Sequence, residues 1–125
     1  MKEYNLNLKL DYCGLVNLHK TLLEAKFHTM PDNEDVSGSP FVAGLYIQVR
    51  DLLMESDTGS QWENWFQLRN QPGRRSQAII LMKKYNSWSK ATSERKREIA
   101  SNYLAPFLFN EEELRNVILE VDNGV

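Results

Sequence analysis

Residues 110–124 read NEEELRNVILEVDNG, and they carry the start, the apolar face and the end of one helix. Asn110 is a favoured N-cap residue, and Glu113 follows three positions later, which is the spacing of a capping box. The apolar residues recur with the period of an α-helix and predict one buried face: Leu114, Val117, Ile118 and Val121. Residues 122–124 (DNG) then end the helix, because a glycine commonly follows the last helical turn.

Two helices are predicted at the other end of the chain. Asp11 is the predicted cap of the first, and its apolar positions are Leu15, Leu18, Leu22 and Phe27. Ser39 is the predicted cap of the second, with Pro40 at the first helical position, where its missing N–H costs nothing. The apolar face of this second helix contains Val42, Leu45, Val49, Leu52 and Leu53. Residues 31–39 between the two helices are polar and predict a loop.

A third, short helix is predicted over residues 61–69. The spacing of Trp62, Trp65 and Phe66 places these aromatic side chains on one helix face. We expect Trp65 and Phe66 to be core residues, and Trp62 to be partly exposed and available to a partner. The sequence QPG at residues 71–73 is predicted to stop this helix.

The remaining segments predict two more helices. One runs from about residue 74 to residue 89, with three residues turned inward: Ile79, Ile80 and Met82. Residues 77–82 are also a short apolar run that a strand could contain. The next helix begins after Thr92 or Ser93 and ends at Pro106. The sequence therefore predicts a mostly α fold, a compact bundle of five to six helices in a single domain of residues 1–125.

Residues 4–10 follow a different pattern from the rest of the chain. Tyr4, Leu6, Leu8 and Leu10 alternate with polar residues, which is the period of a half-buried strand. A lone strand is unstable, so it needs a second strand from this chain or from another copy. The sequence thus predicts either a strand, with a homodimer as one way to pair it, or an extended arm packed over the helices.

Composition limits the class of protein. The chain has 125 residues, a formal net charge of −2, and 42% hydrophobic residues, which are ordinary values for one globular domain. Its single cysteine excludes an internal disulfide bond and fits a cytoplasmic location. No apolar run is long enough for a membrane span, and the first residues do not resemble a secretory signal.

The basic charge is concentrated in residues 69–97, here called the basic stretch. It contains nine basic residues and one acidic residue, Glu94, whereas the segments on both sides of it are acidic. We consider it, together with two tryptophans, a candidate partner-binding surface: Trp62, Arg69, Arg74, Arg75, Lys83, Lys84, Trp88, Arg95, Lys96 and Arg97. The alternative is a solvated basic face that the acidic flanks balance within the fold.

Sequence signals for catalysis or metal binding are weak. Cys13 and His19 are six residues apart on one predicted helix, so their side chains point in different directions. We therefore predict Cys13 to be a small buried residue. His19 and His28 do not have the spacing of a metal site, and residues 32–35 lack the glycine and distal glutamate of a calcium loop. We expect no enzymatic activity, no metal and no cofactor.

The absence of catalytic residues favours a binding function. In size, in its acidic pI near 5.7 and in helical composition, the chain is similar to small immunity proteins, antitoxins and phage inhibitors, without a shared motif. We expect a protein-binding regulator or inhibitor. The alternative is local binding of nucleic acid through the basic stretch, which the net charge of −2 and the acidic last helix oppose.

Overall fold

The structure is a computed structural model that describes residues 1–124, and it contains six α-helices in that range. They are α1 (Tyr12–Lys26), α2 (Pro40–Glu55), α3 (Gly59–Trp65), α4 (Pro72–Lys83), α5 (Ser93–Leu104) and α6 (Glu111–Asn123). Two short 3-10 segments, Leu68–Asn70 and Trp88–Lys90, precede α4 and α5 respectively. Among the described residues there is no strand, so the prediction of a mostly α fold is confirmed.

The predicted helix starts are hydrogen-bonded as expected. The Asp11 carboxylate accepts from the Gly14 N–H at 2.8 Å, and the Ser39 hydroxyl accepts from the Val42 N–H at 3.2 Å. At α6 the Asn110 side chain accepts from the Glu113 N–H, and the Glu113 carboxylate accepts from the Asn110 N–H. Both bonds of the predicted capping box are therefore present, and they satisfy N–H groups that a helix leaves unpaired at its start.

The helices form two groups around one core. Helix α2 packs against α1 and α3, while α4, α5 and α6 all pack on one another, and α2 also contacts α5. Buried apolar residues from both groups form one continuous cluster. Its largest fully buried side chains include Trp88, Tyr46 and Phe66. A backbone bridge between Gln67 and Leu108 joins the end of the first group to the connection before α6.

The middle of the chain differs from the prediction. Pro72 does not stop a helix but occupies the first turn of α4, where proline is well tolerated. Helix α4 ends at Lys83 rather than near residue 89, because the chain turns there and brings Trp88 into the core. Ile80 is exposed, not inward, because it lies opposite the buried face of α4. Leu52 is likewise exposed, at the edge of the apolar face of α2.

Residues 4–10, here called the arm, are extended but do not form a strand. The described residues contain no sheet to which the arm could add, and a strand without a partner is unstable. The arm is not packed over the helices either, since the exposed fractions of Tyr4, Leu6, Leu8 and Leu10 are 83%, 83%, 61% and 44%. Both predicted forms of a covered arm are therefore wrong within this chain.

None of the six helices in residues 1–124 is both long enough and apolar enough to cross a membrane.

Candidate partner-binding surfaces

The basic stretch lies beside the acidic residues of α6. Arg75 forms two hydrogen bonds with the Glu120 carboxylate, at 2.9 and 3.1 Å. Arg97 pairs in the same two-bond geometry with Glu111, at 2.7 and 2.6 Å. Because α6 packs on both α4 and α5, its carboxylates lie within reach of basic side chains from both helices. Much of the charge that the sequence concentrates in this stretch is thus balanced by contacts within the fold.

Two further cations of the stretch have carboxylate partners. Lys96 lies 2.8 Å from Asp122 on α6, and Arg95 lies 2.9 Å from Glu98 on its own helix. The hydrogen bond from Lys96 is the main reason that the pKa of the Asp122 carboxyl is lowered. The Arg95–Glu98 pair is exposed and contributes little to stability, whereas the Lys96–Asp122 pair is partly buried.

The other predicted cations have no carboxylate partner among residues 1–124, and they are distributed from the Leu68–Asn70 turn to the end of α4. Arg69 is exposed on the Leu68–Asn70 turn, and Lys83 is exposed at the end of α4. Arg74 donates to the Gln77 side chain at 3.1 Å. Lys84 donates to the Thr29 carbonyl oxygen at 2.8 Å and so joins the end of α4 to the segment after α1.

Trp88 is not available to a partner, contrary to the prediction. It is 1% exposed, and its indole N–H donates to the Asp122 carboxylate at 2.9 Å. The Lys96 ammonium, which pairs with the same carboxylate, lies 5.4 Å from the centre of the indole ring. Trp88, Lys96 and Asp122 therefore connect the turn before α5, α5 itself and α6, and their role is in the packing of these elements.

Trp62 is half-buried and belongs to an aromatic cluster in the first helical group. Its ring lies 5.1 Å from the His19 ring and 5.8 Å from the Phe66 ring. Its indole N–H donates to the Tyr12 hydroxyl at 3.0 Å, which connects α3 to the first turn of α1. Trp65 contacts the same cluster. Only part of the Trp62 ring could therefore contact a partner.

His19 forms the centre of this cluster, which the sequence analysis did not find. It is buried, and its Nδ1 shares a hydrogen bond of 2.6 Å with the Tyr46 hydroxyl. Burial raises the pKa of Tyr46, so the hydroxyl keeps its proton. Burial, and secondarily the charge of Lys20, lowers the pKa of His19 to about 4. The sequence contains one signal for the burial of His19. It lies four residues after Leu15 and three before Leu22, which puts the imidazole on the apolar face of α1.

Lys26, at the end of α1, is the other buried ionisable group that the sequence analysis missed. It is fully buried, and its Nζ donates to two carbonyl oxygens, of Ser37 and of Asn102, both at 2.7 Å. Burial lowers its pKa to about 7. A neutral amine has two N–H groups, which match these two acceptors. The side chain ties residues 31–39, here called the 31–39 loop, to α5.

Cys13 is exposed near the start of α1, so the prediction that it is buried is wrong. The first turn of an amphipathic helix is only partly covered by its neighbours, and Cys13 lies away from the face that contains Leu15. Within residues 1–124 no group of three or more His, Cys, Asp or Glu side chains is arranged to hold a metal ion.

The arm contains four exposed large apolar side chains in alternate positions: Tyr4, Leu6, Leu8 and Leu10. No backbone hydrogen bond within the described residues involves residues 4–10, whereas the neighbouring residues 12–26 form a regular α-helix. The arm therefore presents open N–H and C=O groups together with exposed apolar side chains. At its end, Tyr12 anchors the chain through a 3.1 Å hydrogen bond to Thr58.

Known proteins provide no assignment for these surfaces. No family model, curated protein or solved structure matches the chain.

Proposed function

We propose that this protein is a non-enzymatic, cytoplasmic regulator that binds another protein through the arm. The observation that carries the proposal is the exposure of four alternating apolar side chains on an extended backbone without internal hydrogen bonds. An extended segment of this kind can add a strand to the edge of a partner's sheet. Backbone hydrogen bonds then supply affinity, and pockets for alternate side chains supply specificity.

The arm is better suited to bind the edge of an existing sheet in a partner protein than to bind a second copy of this chain. Two arms pairing with each other would give only a two-stranded ribbon, which is marginal in water without a covering layer. Residues 1–124 contain no sheet to provide that layer. A partner with a formed sheet already provides hydrogen-bonding groups and an apolar surface, so less ordering entropy opposes binding.

The basic stretch supports a lesser role than the sequence suggested. Arg75, Lys96 and Arg97 already pair with carboxylates of α6, and Trp88 is in the core. The remaining cations would influence the association rate of an acidic partner more than its affinity.

A photo-crosslinking experiment tests the proposal in cells of the native host. A benzophenone amino acid replaces Leu6 or Leu8 in one set of strains and Asn5 or Asn7 in the other. If the arm adds to a sheet, residues of one parity enter the partner's pockets and those of the other face away. We expect one protein to be crosslinked efficiently from positions 6 and 8, and weakly from positions 5 and 7.

Point substitutions with purified partner provide the quantitative test. Leu6→Asp with Leu8→Asp should weaken binding by at least about 100-fold, because two apolar side chains lose their pockets. Asn5→Asp with Asn7→Asp adds the same charge on the other parity and should change affinity by less than about threefold. Equal effects of the two pairs would contradict strand addition, and crosslinks only between copies of the chain would replace the partner with a homodimer.

A further inference from the structure

A cleft opens between the 31–39 loop and the facing surfaces of α4 and α5, away from the arm and independent of the function proposed for it. Its volume is about 460 Å³, within the range of about 300–1,000 Å³ that small-molecule sites occupy. Leu81, Tyr85 and Ile99 contribute apolar surface to it. The cleft is therefore large enough for a ligand with an apolar stem and a polar group.

The cleft carries charges of both signs, and its open acidic groups are two carboxylates of the loop. Glu34 and Asp35 line it from the loop, and within residues 1–124 their carboxylates form no ion pair or hydrogen bond. Of the two cations that line it, Arg95 pairs with Glu98, and Lys84 keeps its positive charge but donates to the Thr29 carbonyl oxygen. A ligand that pairs with the two open carboxylates must carry a positive charge.

Tyr103 adds a buried polar group that points to a ligand. The residue is 7% exposed, lines the cleft, and has no hydrogen bond from its hydroxyl to any residue in the described part of the chain. Among residues 1–124, Ser37 Oγ is the only fully enclosed side-chain nitrogen or oxygen without a hydrogen-bond partner. The unpaired Tyr103 hydroxyl is therefore not fully enclosed, and its residue lines the cleft. Its pKa is raised, first by burial and then by Tyr85, Glu34 and Asp35.

The tyrosine rings provide a second feature that suits a cation. Tyr85 and Tyr103 are 6.4 Å apart at an interplanar angle of 69°, so the cleft has two aromatic surfaces in different orientations. The negative face of an aromatic ring attracts an ammonium or guanidinium group. Carboxylates, a phenol oxygen and aromatic faces together are the set of groups that recognises an organic cation.

The shape of the cleft is fixed by contacts beneath it. Lys26 Nζ holds the loop at Ser37 and α5 at Asn102, both at 2.7 Å. Gly38 lies so close to Tyr103 that a Cβ at this position would be 2.6 Å from the ring. These contacts preorganise the 31–39 loop in the absence of a ligand, which lowers the entropic cost of binding.

From these observations we propose that the cleft binds a small organic cation, a primary amine or guanidinium on a short alkyl chain. Glu34, Asp35 and the Tyr103 hydroxyl accept hydrogen bonds from the charged group, and the stem packs on Leu81 and Ile99. The same chemistry is present in free polyamines and agmatine, and in lysine or arginine side chains of a peptide. The binding experiment distinguishes these two sources.

The test is a titration of the isotope-labelled full chain followed by amide chemical shifts, at about pH 8, where the Lys26 amine is largely neutral. The probes are agmatine, a blocked Gly-Arg-Gly peptide, and n-butylurea as a neutral relative of the guanidinium. We expect saturable shifts at residues 34, 35, 38 and 103 with agmatine, and none with n-butylurea or with equal NaCl. If the peptide binds with the same affinity as agmatine, the ligand is a basic side chain of a peptide. If agmatine binds and the peptide does not, the ligand is a free small molecule.

Matched variants assign the binding to the named groups. Glu34→Gln with Asp35→Asn should weaken agmatine binding by about tenfold or more, and Tyr103→Phe by about threefold to tenfold. Glu3→Gln with Glu24→Gln removes two exposed carboxylates outside the cleft and should leave the affinity unchanged. Melting curves confirm that each variant is folded. The proposal is overturned if neither cation gives saturable shifts, or if the Glu34/Asp35 and Glu3/Glu24 variants respond alike.

Discussion

At the scale of single residues, the chain buries two ionisable side chains of α1, His19 and Lys26. His19 and Lys26 both lie on the inner face of α1, and burial lowers both pKa values. The position of His19 follows from the helical period, but its burial depends on rings contributed by α2 and α3, which are far away in the sequence. The two carbonyl acceptors of Lys26 lie 11 and 76 residues from it. No local pattern encodes such distances.

His19 gives a prediction for acid stability. Its pKa is about 4 in the folded chain and 6.5 as the reference value for the unfolded chain, so folding favours the neutral imidazole. The resulting stabilisation is complete above pH 6.5 and is lost as the pH falls through 4. Relative to a His19→Gln variant, the free energy of unfolding should fall by about 3 kcal/mol between these two pH values. Urea denaturation at several pH values measures the difference, and parallel pH profiles for the two proteins would contradict the pKa assignment.

At the scale of elements, the local sequence was sufficient to predict a helix where its capping residues and its apolar period indicate the same bounds. The start of α6, its capping box and its buried face were all predicted from residues 110–121, because each depends on neighbours a few positions away. The end of α4 was not predictable in this way. Trp88 leaves the helical path to enter the core and to reach Asp122, 34 residues later. The ion pairs of Arg75, Lys96 and Arg97 were not predictable for the same reason, since their carboxylate partners come from another helix.

Helix α6 provides a matched pair of leucines that tests its packing. Leu114 is buried and Leu119 is half exposed on the opposite side. Leu114→Ala should lower the free energy of unfolding by roughly 2–5 kcal/mol, because it removes buried methyl groups and leaves a cavity. Leu119→Ala should change it by less than about 0.5 kcal/mol. Chemical denaturation measures both values. Similar small losses for the two variants would show that α6 is only loosely attached to the rest of the chain.

At the scale of the whole molecule, the charge division of the sequence becomes a pairing between helices. The stretch that looks strongly basic in the sequence faces an acidic helix in the fold. We therefore predict that the wild-type protein does not bind single-stranded RNA or duplex DNA even at ~50 mM salt. A variant with Glu111→Gln and Glu120→Gln releases Arg97 and Arg75 and should acquire weak, salt-sensitive binding.

Fluorescence anisotropy at a series of salt concentrations measures this difference. For each phosphate neutralised, the logarithm of the affinity of the variant should fall by about 0.7–0.9 per tenfold rise in salt. Wild-type binding with a slope of that kind would instead favour a nucleic-acid function for the basic stretch. Melting curves serve as the control that the variant remains folded.

The pairing of α6 with the basic stretch also has a consequence for synthesis on the ribosome. Translation produces residues 69–97 well before residues 111–123, so for that interval the nascent chain carries a strongly cationic segment without its counter-charges. The indole N–H of Trp88 also lacks its partner during this interval. Its acceptor, the Asp122 carboxylate, is on almost the last residue of α6 to be made. Domains fold as units during synthesis, and this one cannot complete its second group of helices until α6 emerges. In that interval the nascent segment exposes its positive charge and its indole without the α6 partners that cover them in the folded chain.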